Sequence, residues 1–244
     1  MEYGLQLYSV RDAMAEDMEK TLAAVAAIGY RKVEFAGFFG HPAEEVAAWL
    51  KQYGLTVCST HTPASELLPD CLAETIAYHK AIGNPFIIIP GYDASTPAKM
   101  DELVNLINEV QPKLEKEGIR LGYHNHHREF LPLYEGGYRI HDELYRRTNV
   151  ALQIDTYWAY VAGCDPVALL EKEKDRVPVI HLKDGDLSHH GKSLGLGTAP
   201  VGKVYRTARR LGMNIVVESE GQDPDGISEV TRCFRYLKEV EKTV

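Results

Sequence analysis

The sequence predicts an α/β protein folded as a single (β/α)₈ barrel over residues 1–244. Three observations carry that expectation. Short runs rich in Val, Ile and Leu alternate with helical stretches in eight successive pairs, which favours a closed parallel barrel over an open doubly wound sheet. The 244 residues match the roughly 250 of a one-barrel chain. Three runs in the C-terminal half, Val150–Asp155, Val177–Asp184 and Asn214–Glu218, end at or near a potential ligand: Asp155, His181 and Glu218. The C-terminal ends of barrel strands share one rim, and such folds carry their chemistry there.

The elements follow in order. The first strand is expected at Tyr3–Ser9. A helix over Glu16–Ile28 has Met18, Leu22, Val25 and Ala26 as its apolar stripe and Gly29 as its stop. Lys32–Phe35 is the second strand. Pro42–Tyr53 is helical and ends at Gly54. Leu55–Thr60 is the third strand, with His61 just beyond, and a helix over Leu72–Ile82 stops at Gly83. Phe86–Ile89 is apolar throughout, as befits a strand buried on both faces. Pro97–Glu117 makes a longer helix, with Pro112 placed to kink it. Ile119–His124 is the fifth strand. His126–Gly137 is a loop of the length that is often functional. A helix at Tyr138–Arg147 leads to the strand ending at Asp155. The chain closes with the helix Pro166–Glu171, the strand Val179–Lys183, the loop Gly185–Gly202, the helix Val204–Leu211, the strand ending at Glu218 and the helix Ile227–Glu241.

Composition excludes several classes. Hydrophobic residues make up 45% and charged residues 25%, an ordinary soluble balance. The net charge of -8 argues against a general nucleic-acid or anionic-membrane binder. No apolar run approaches the roughly 20 residues of a bilayer span. Met1 leads into a strand without the basic and apolar regions of a secretion signal. Cys58, Cys71, Cys164 and Cys233 form no C-x-x-C pair, as expected of reduced thiols in a cytoplasmic protein.

Asp155, His181 and Glu218 offer two carboxylates and one imidazole. That mixture suits Mn²⁺, Co²⁺, Fe²⁺ or Zn²⁺ and is poor for Ca²⁺. A fourth ligand is expected from the fifth strand, where Tyr123-His124-Asn125-His126-His127 is the densest imidazole cluster. His124 points inward if the alternation holds, and His126 shares that face two residues on. Gln6, Tyr8, Glu34, His61, Asn125, His126 and Trp158 are further candidates for the pocket wall.

These residues also carry a family likeness. Gly4–Arg11, Gly29–Glu34, Tyr123–His126, Gln153–Asp155, His181–Asp184 and Val217–Glu218 resemble the sugar phosphate isomerase/epimerase family of xylose isomerase-like TIM barrels. The likeness covers essentially the whole chain. It is nearest to the inosose-dehydratase-like and functionally unassigned branches. It implies a cytoplasmic, metal-dependent enzyme of carbohydrate metabolism, an isomerase or epimerase acting on a sugar or keto-sugar through an enediolate. It also implies one divalent ion, Mn²⁺ first, then Co²⁺, Fe²⁺, Zn²⁺ or Mg²⁺. The epimerase pattern of Glu, Asp, His and Glu matches at Asp155, His181 and Glu218, whereas His124 stands where those epimerases carry the first Glu. Glu129 is the nearby carboxylate that could replace it. Glu218 is then the base, His124 a ligand or proton carrier, and Lys183 a partner for a substrate hydroxyl or developing oxyanion. The other reading of Lys183 is a salt bridge to Asp184 or another rim carboxylate. β-Elimination by a dehydratase or lyase is the runner-up, and a non-catalytic sugar-binding barrel is the third reading. The expected partner is a small carbohydrate, with neither nucleic acid nor membrane; the family's relatives are commonly homo-oligomers. Gly191-Lys-Ser193 is not a phosphate loop, because Asp186 stands where that motif needs its first Gly.

Overall fold

In a computed structural model, which describes residues 2–133 and 137–242, eight parallel strands close into a barrel. They are β1 (Gly4–Gln6), β2 (Lys32–Phe35), β3 (Thr56–His61), β4 (Phe86–Ile89), β5 (Arg120–His124), β6 (Ala151–Asp155), β7 (Val179–Leu182) and β8 (Asn214–Val217). Each pairs with its sequence neighbours, and β8 returns to β1 with Val216 opposite Gly4. Helices between the strands cover the outside, so most strand residues are buried.

The core has two parts. Most buried apolar side chains lie between strands and helices. A smaller cluster of Phe86, Ile88, Ala151, Val179 and Val216 fills the lower barrel interior. The Phe86 ring needs room there. A Cβ on Gly122 would stand 2.8 Å from it, and one on Gly4 would stand 2.9 Å from Val216, so both strands carry glycine at those points. Above this plug the inward positions turn polar: Gln6, Glu34, Ser59 and Gln153, then His61, His124 and His181. A register shift between β2 and β3 sets Val33 opposite Val57 but Glu34 opposite Ser59. This bulge lets Ser59 donate a hydrogen bond to Glu34.

Several boundaries differ from expectation for local reasons. β1 stops at Gln6, because the Gln6 side chain accepts the Tyr8 N–H and starts a 3₁₀ turn over Leu7–Val10. The expected helix over Glu16–Ile28 is two helices, Arg11–Glu16 and Met18–Ile28, broken where the extended Asp17 caps Lys20. The fourth covering helix begins at Pro69, a residue suited to the first turn. Pro97–Lys116 runs unbroken through Pro112. A helix over Thr156–Val161 went unforeseen; Asp155 caps it. Pro166–Glu173 and Val201–Leu211 are each longer than expected. The Gly185–Gly202 loop contains a two-residue antiparallel ribbon, Asp184–Gly185 with Gly191–Lys192. In the His126–Gly137 loop, His127–Phe130 forms a 3₁₀ turn and residues 134–136 lie outside the described residues. No described helix is long and apolar enough to cross a membrane.

One buried polar group on the outer layer has a stability consequence. His79, 1% exposed, accepts at Nδ1 from Asn84 Nδ2 at 2.9 Å and lies 3.3 Å from Thr60 Oγ1. Burial lowers its pKa to about 4, so the folded ring stays neutral while the unfolded one titrates near its usual value. Stability therefore falls as pH drops from about 6.5 to about 4, by about 3 kcal/mol from this group. Urea unfolding across that window should show a smaller loss in His79→Gln than in the wild type; identical pH dependence would refute the assignment.

Candidate metal centre

The upper rim gathers side chains from four successive strands around one point. Ligand atoms of His124, Asp155, His181 and Glu218 all lie within 4.8 Å of one another, and all four residues are buried. Donors about 2.0–2.2 Å from a single ion are at most roughly 4.4 Å apart, so the cluster needs little contraction to hold one. Register explains the meeting. Asp155 sits opposite His181, His124 opposite Gln153, and Val216 opposite His181, which puts Glu218 one inward position further along.

Asp155 has a divided carboxylate. Oδ1 accepts the N–H groups of Tyr157 and Trp158, each at 2.9 Å, and so caps the helix that follows. Oδ2 is buried and finds no hydrogen-bond partner among the described residues. Burial raises the pKa to about 7, against the pull of Lys183, so the protein alone does not supply enough positive charge for this group. A cation among the four donors would. The site therefore fits a divalent ion of the class that takes mixed imidazole and carboxylate ligands.

The remaining charges interlock. Glu34 is fully buried and accepts from Gln6 Nε2 at 2.6 Å, Gln153 Nε2 at 2.6 Å and His181 Nε2 at 2.5 Å. Burial alone would raise its pKa, but His61 and His181 outweigh that and hold it at about 2. His181 is raised to about 10: burial opposes its charge, and the carboxylates of Glu34 and Glu218 overcome the opposition. Its Nδ1 lies 3.2 Å from Glu218 Oε2. His124 is held well below its usual value by burial and by neighbouring His181 and His61, so it is neutral. Lys183, 1% exposed, is raised despite its burial by Glu218, Asp155 and Glu220. Its Nζ reaches Glu218 at 3.3 Å, bonds Glu220, and lies 4.8 Å from the Trp158 ring centroid.

Over the cluster opens a cavity of about 380 Å³. Tyr8, His61, Glu66, His126, Glu218 and Glu220 supply its polar lining, and His124 lies at its floor.

A model of the xylose isomerase-like TIM barrel matches residues 22–237. The chain belongs to that family. A sugar phosphate isomerase/epimerase from Parabacteroides distasonis is similar at 26% identity over 97% of each chain, with a TM-score of 0.83. An L-ribulose 3-epimerase is similar at 16% identity over 100% of this chain and 95% of that one, with a TM-score of 0.74. The probable 3-DHS dehydratase of petrobactin synthesis from Bacillus anthracis is similar at 14% identity, covering 98% of this chain and 99% of that one, with a TM-score of 0.75. The last two share the fold. No curated protein matches the chain.

Within this family barrel the candidates divide. His61, His126 and Tyr8 line the cavity. Gln6 and Glu34, expected on its wall, are instead buried beneath it. Asn125 is also buried, donating to the Asp155 carbonyl at 3.2 Å and accepting the Asp155 N–H at 3.1 Å, so it ties β5 to β6. Trp158 is half-buried, against Lys183 and near His126 and His127. Glu129 is turned away from the cluster and accepts the His126 N–H at 2.9 Å. His189 and His190 are exposed on the long loop after β7. Sequence reasoning missed Glu220; the signal was its i+2 spacing from Glu218. It also missed Gln153, which alternates with Asp155.

Lys183 pairs with Glu218 and Glu220 rather than with Asp184. Asp184 has a separate task. Oδ1 accepts from the backbone N–H groups of Gly185 at 2.8 Å and Ala199 at 3.1 Å, and Oδ2 from Gly195 at 2.9 Å and Gly197 at 3.0 Å. In Asp184→Asn an NH₂ must face two N–H donors, so the variant should lose about 2–4 kcal/mol. Limited proteolysis should then cut the 186–200 segment faster; wild-type stability and cleavage would contradict this account of the loop.

Proposed function

We propose that the chain is a divalent-metal-dependent isomerase or epimerase acting on a sugar or keto-sugar through an enediolate. Two observations on Asp155 carry the proposal: its Oδ2 is buried without a partner, and its carboxylate joins donors of His124, His181 and Glu218 that all lie within 4.8 Å of one another. His124, Asp155, His181 and Glu218 would hold the ion, with Mn²⁺ the first candidate. When bound, the ion supplies Lewis-acid polarisation of the substrate carbonyl and an adjacent hydroxyl.

The chain's own groups do the rest. Glu218 is the carboxylate that both belongs to the cluster and lines the cavity, so it is the base for the proton next to the carbonyl. Lys183 lies 3.3 Å from Glu218, where its charge favours negative charge growing on a substrate oxygen. Glu220 holds that ammonium in place. His61 and His126 line the cavity and can hydrogen-bond sugar hydroxyls or return a proton. A 380 Å³ cavity suits a small carbohydrate.

Elimination is the second reading, and one observation favours it. The clustered position on β5 is an imidazole, His124, so the cluster offers Glu218 without a second glutamate opposite it. A single base with an imidazole as acid suits loss of a β-substituent as well as proton return. The same proton abstraction begins both reactions.

Two outcomes are expected. Calorimetric titration with Mn²⁺ should give binding at micromolar concentration or tighter in the wild type and at least 100-fold weaker binding in His181→Ala; no wild-type binding would refute the proposal. In deuterated water, Glu218→Gln should abolish exchange of the substrate's α-hydrogen. Exchange at the wild-type rate would remove Glu218 from the base role.

A further inference from the structure

We infer that Glu34 and Gln153 are positioning residues that fix a proton on one particular ring nitrogen of His61, His124 and His181, and so decide which nitrogen is left for a ligand. The use of that second nitrogen by an ion rests on the metal reading above; the wiring itself does not.

The argument starts at Gln153, whose amide donates from one atom and accepts at the other. Its Nε2 stands 2.6 Å from Glu34 Oε2, and a carboxylate oxygen only accepts, so the amide orientation is fixed. Gln153 Oε1 then faces His61 Nε2 at 2.8 Å and His124 Nδ1 at 3.0 Å. A carbonyl oxygen brings no proton, so both nitrogens must bring theirs. Neutral His124 therefore has its lone pair on Nε2, and His61 carries a proton on Nε2. Glu34 Oε1 fixes a proton on His181 Nε2 at 2.5 Å, so Nδ1, which faces the Glu218 carboxylate at 3.2 Å, is the nitrogen an ion can claim by displacing its proton.

Glu34 is itself locked from below. Gln6 Oε1 accepts the Tyr8 N–H at 2.9 Å, so Gln6 Nε2 must be the atom that donates to Glu34, at 2.6 Å. The Ser59 hydroxyl donates to the other carboxylate oxygen. Donors thus surround both oxygens, and an amide at position 34 would turn an NH₂ against one set of them. A carboxylate ligand needs no such control, whereas an imidazole ligand does, because the partner of one nitrogen fixes the proton on the other. Gln153 provides this for His124.

The test joins two readouts. Long-range ¹H–¹⁵N correlation spectra of the metal-free wild-type protein, with rings assigned through His61→Gln and His124→Gln, read proton positions directly. The expected pattern is a proton on Nδ1 at His124 and on Nε2 at His61. In Gln153→Leu the His124 proton should move to Nε2, and Co²⁺ affinity by calorimetry should fall about 10–100-fold while cooperative melting is kept. Glu34→Gln should weaken Co²⁺ to a similar degree. A bare Nδ1 at His124 in the wild type overturns the inference, as does a Gln153→Leu variant with both the tautomer and the Co²⁺ affinity unchanged. If the wild type takes up no Co²⁺, the metal reading fails, and the spectra of that same sample still decide the wiring. If Glu34→Gln does not fold, the wild-type spectrum and Gln153→Leu decide it.

Discussion

A carboxylate buried at the centre of the barrel sets the terms for everything above it. Glu34 is 0% exposed, and an ionised group there is tolerated only with a full set of donors and opposite charge. Gln6 from β1, Ser59 from β3, Gln153 from β6 and His181 from β7 meet that demand. Strands from both sides of the barrel thus converge on one residue. The polar layer built around Glu34 orients the imidazole layer, and the imidazole layer forms the floor of the cavity. Below it, Phe86 and its apolar neighbours keep the interior dry and the local dielectric low, which strengthens each of these interactions.

Economy of side chains is the second theme. Asp155 caps a helix with one oxygen and offers the other to the cluster. Glu218 is shared between Lys183 and His181. Asp184, one residue after Lys183 but facing the opposite way, collects four backbone N–H groups and folds the long loop against the barrel. The alternation of a strand continued past its formal end explains the split: Lys183 goes to the cavity and Asp184 to the scaffold.

Much of this was legible in the sequence, because the two strongest signals were periodic. Eight apolar runs of strand length, punctuated by helix stops such as Gly29, Gly54 and Gly83, imply the closed barrel. Ligand-type residues at the ends of three runs imply a rim site, and Asp155, His181 and Glu218 do meet there, with His124 from a fourth strand. Depth was not legible. Glu34 and Gln6 alternate inward like pocket residues, but how far up the barrel they sit depends on strand stagger and on the β2–β3 bulge, which no local pattern encodes. The Thr156–Val161 helix was hidden because its cap, Asp155, had already been read as a strand-end ligand. The break at Asp17 was missed because the apolar stripe continues across it, while the capping preference of Asp is a weaker signal. Glu129 read as a loop carboxylate able to replace the missing Glu, yet it accepts the His126 backbone N–H instead.

The central claim is that four residues from four strands form one metal centre. Anomalous diffraction from crystals soaked in Mn²⁺, collected on the manganese edge, tests it most directly. The account predicts a single strong peak within bonding distance of His124, Asp155 Oδ2, His181 Nδ1 and Glu218. A density map with no peak among these four residues, or with the ion seated elsewhere on the barrel, would contradict it.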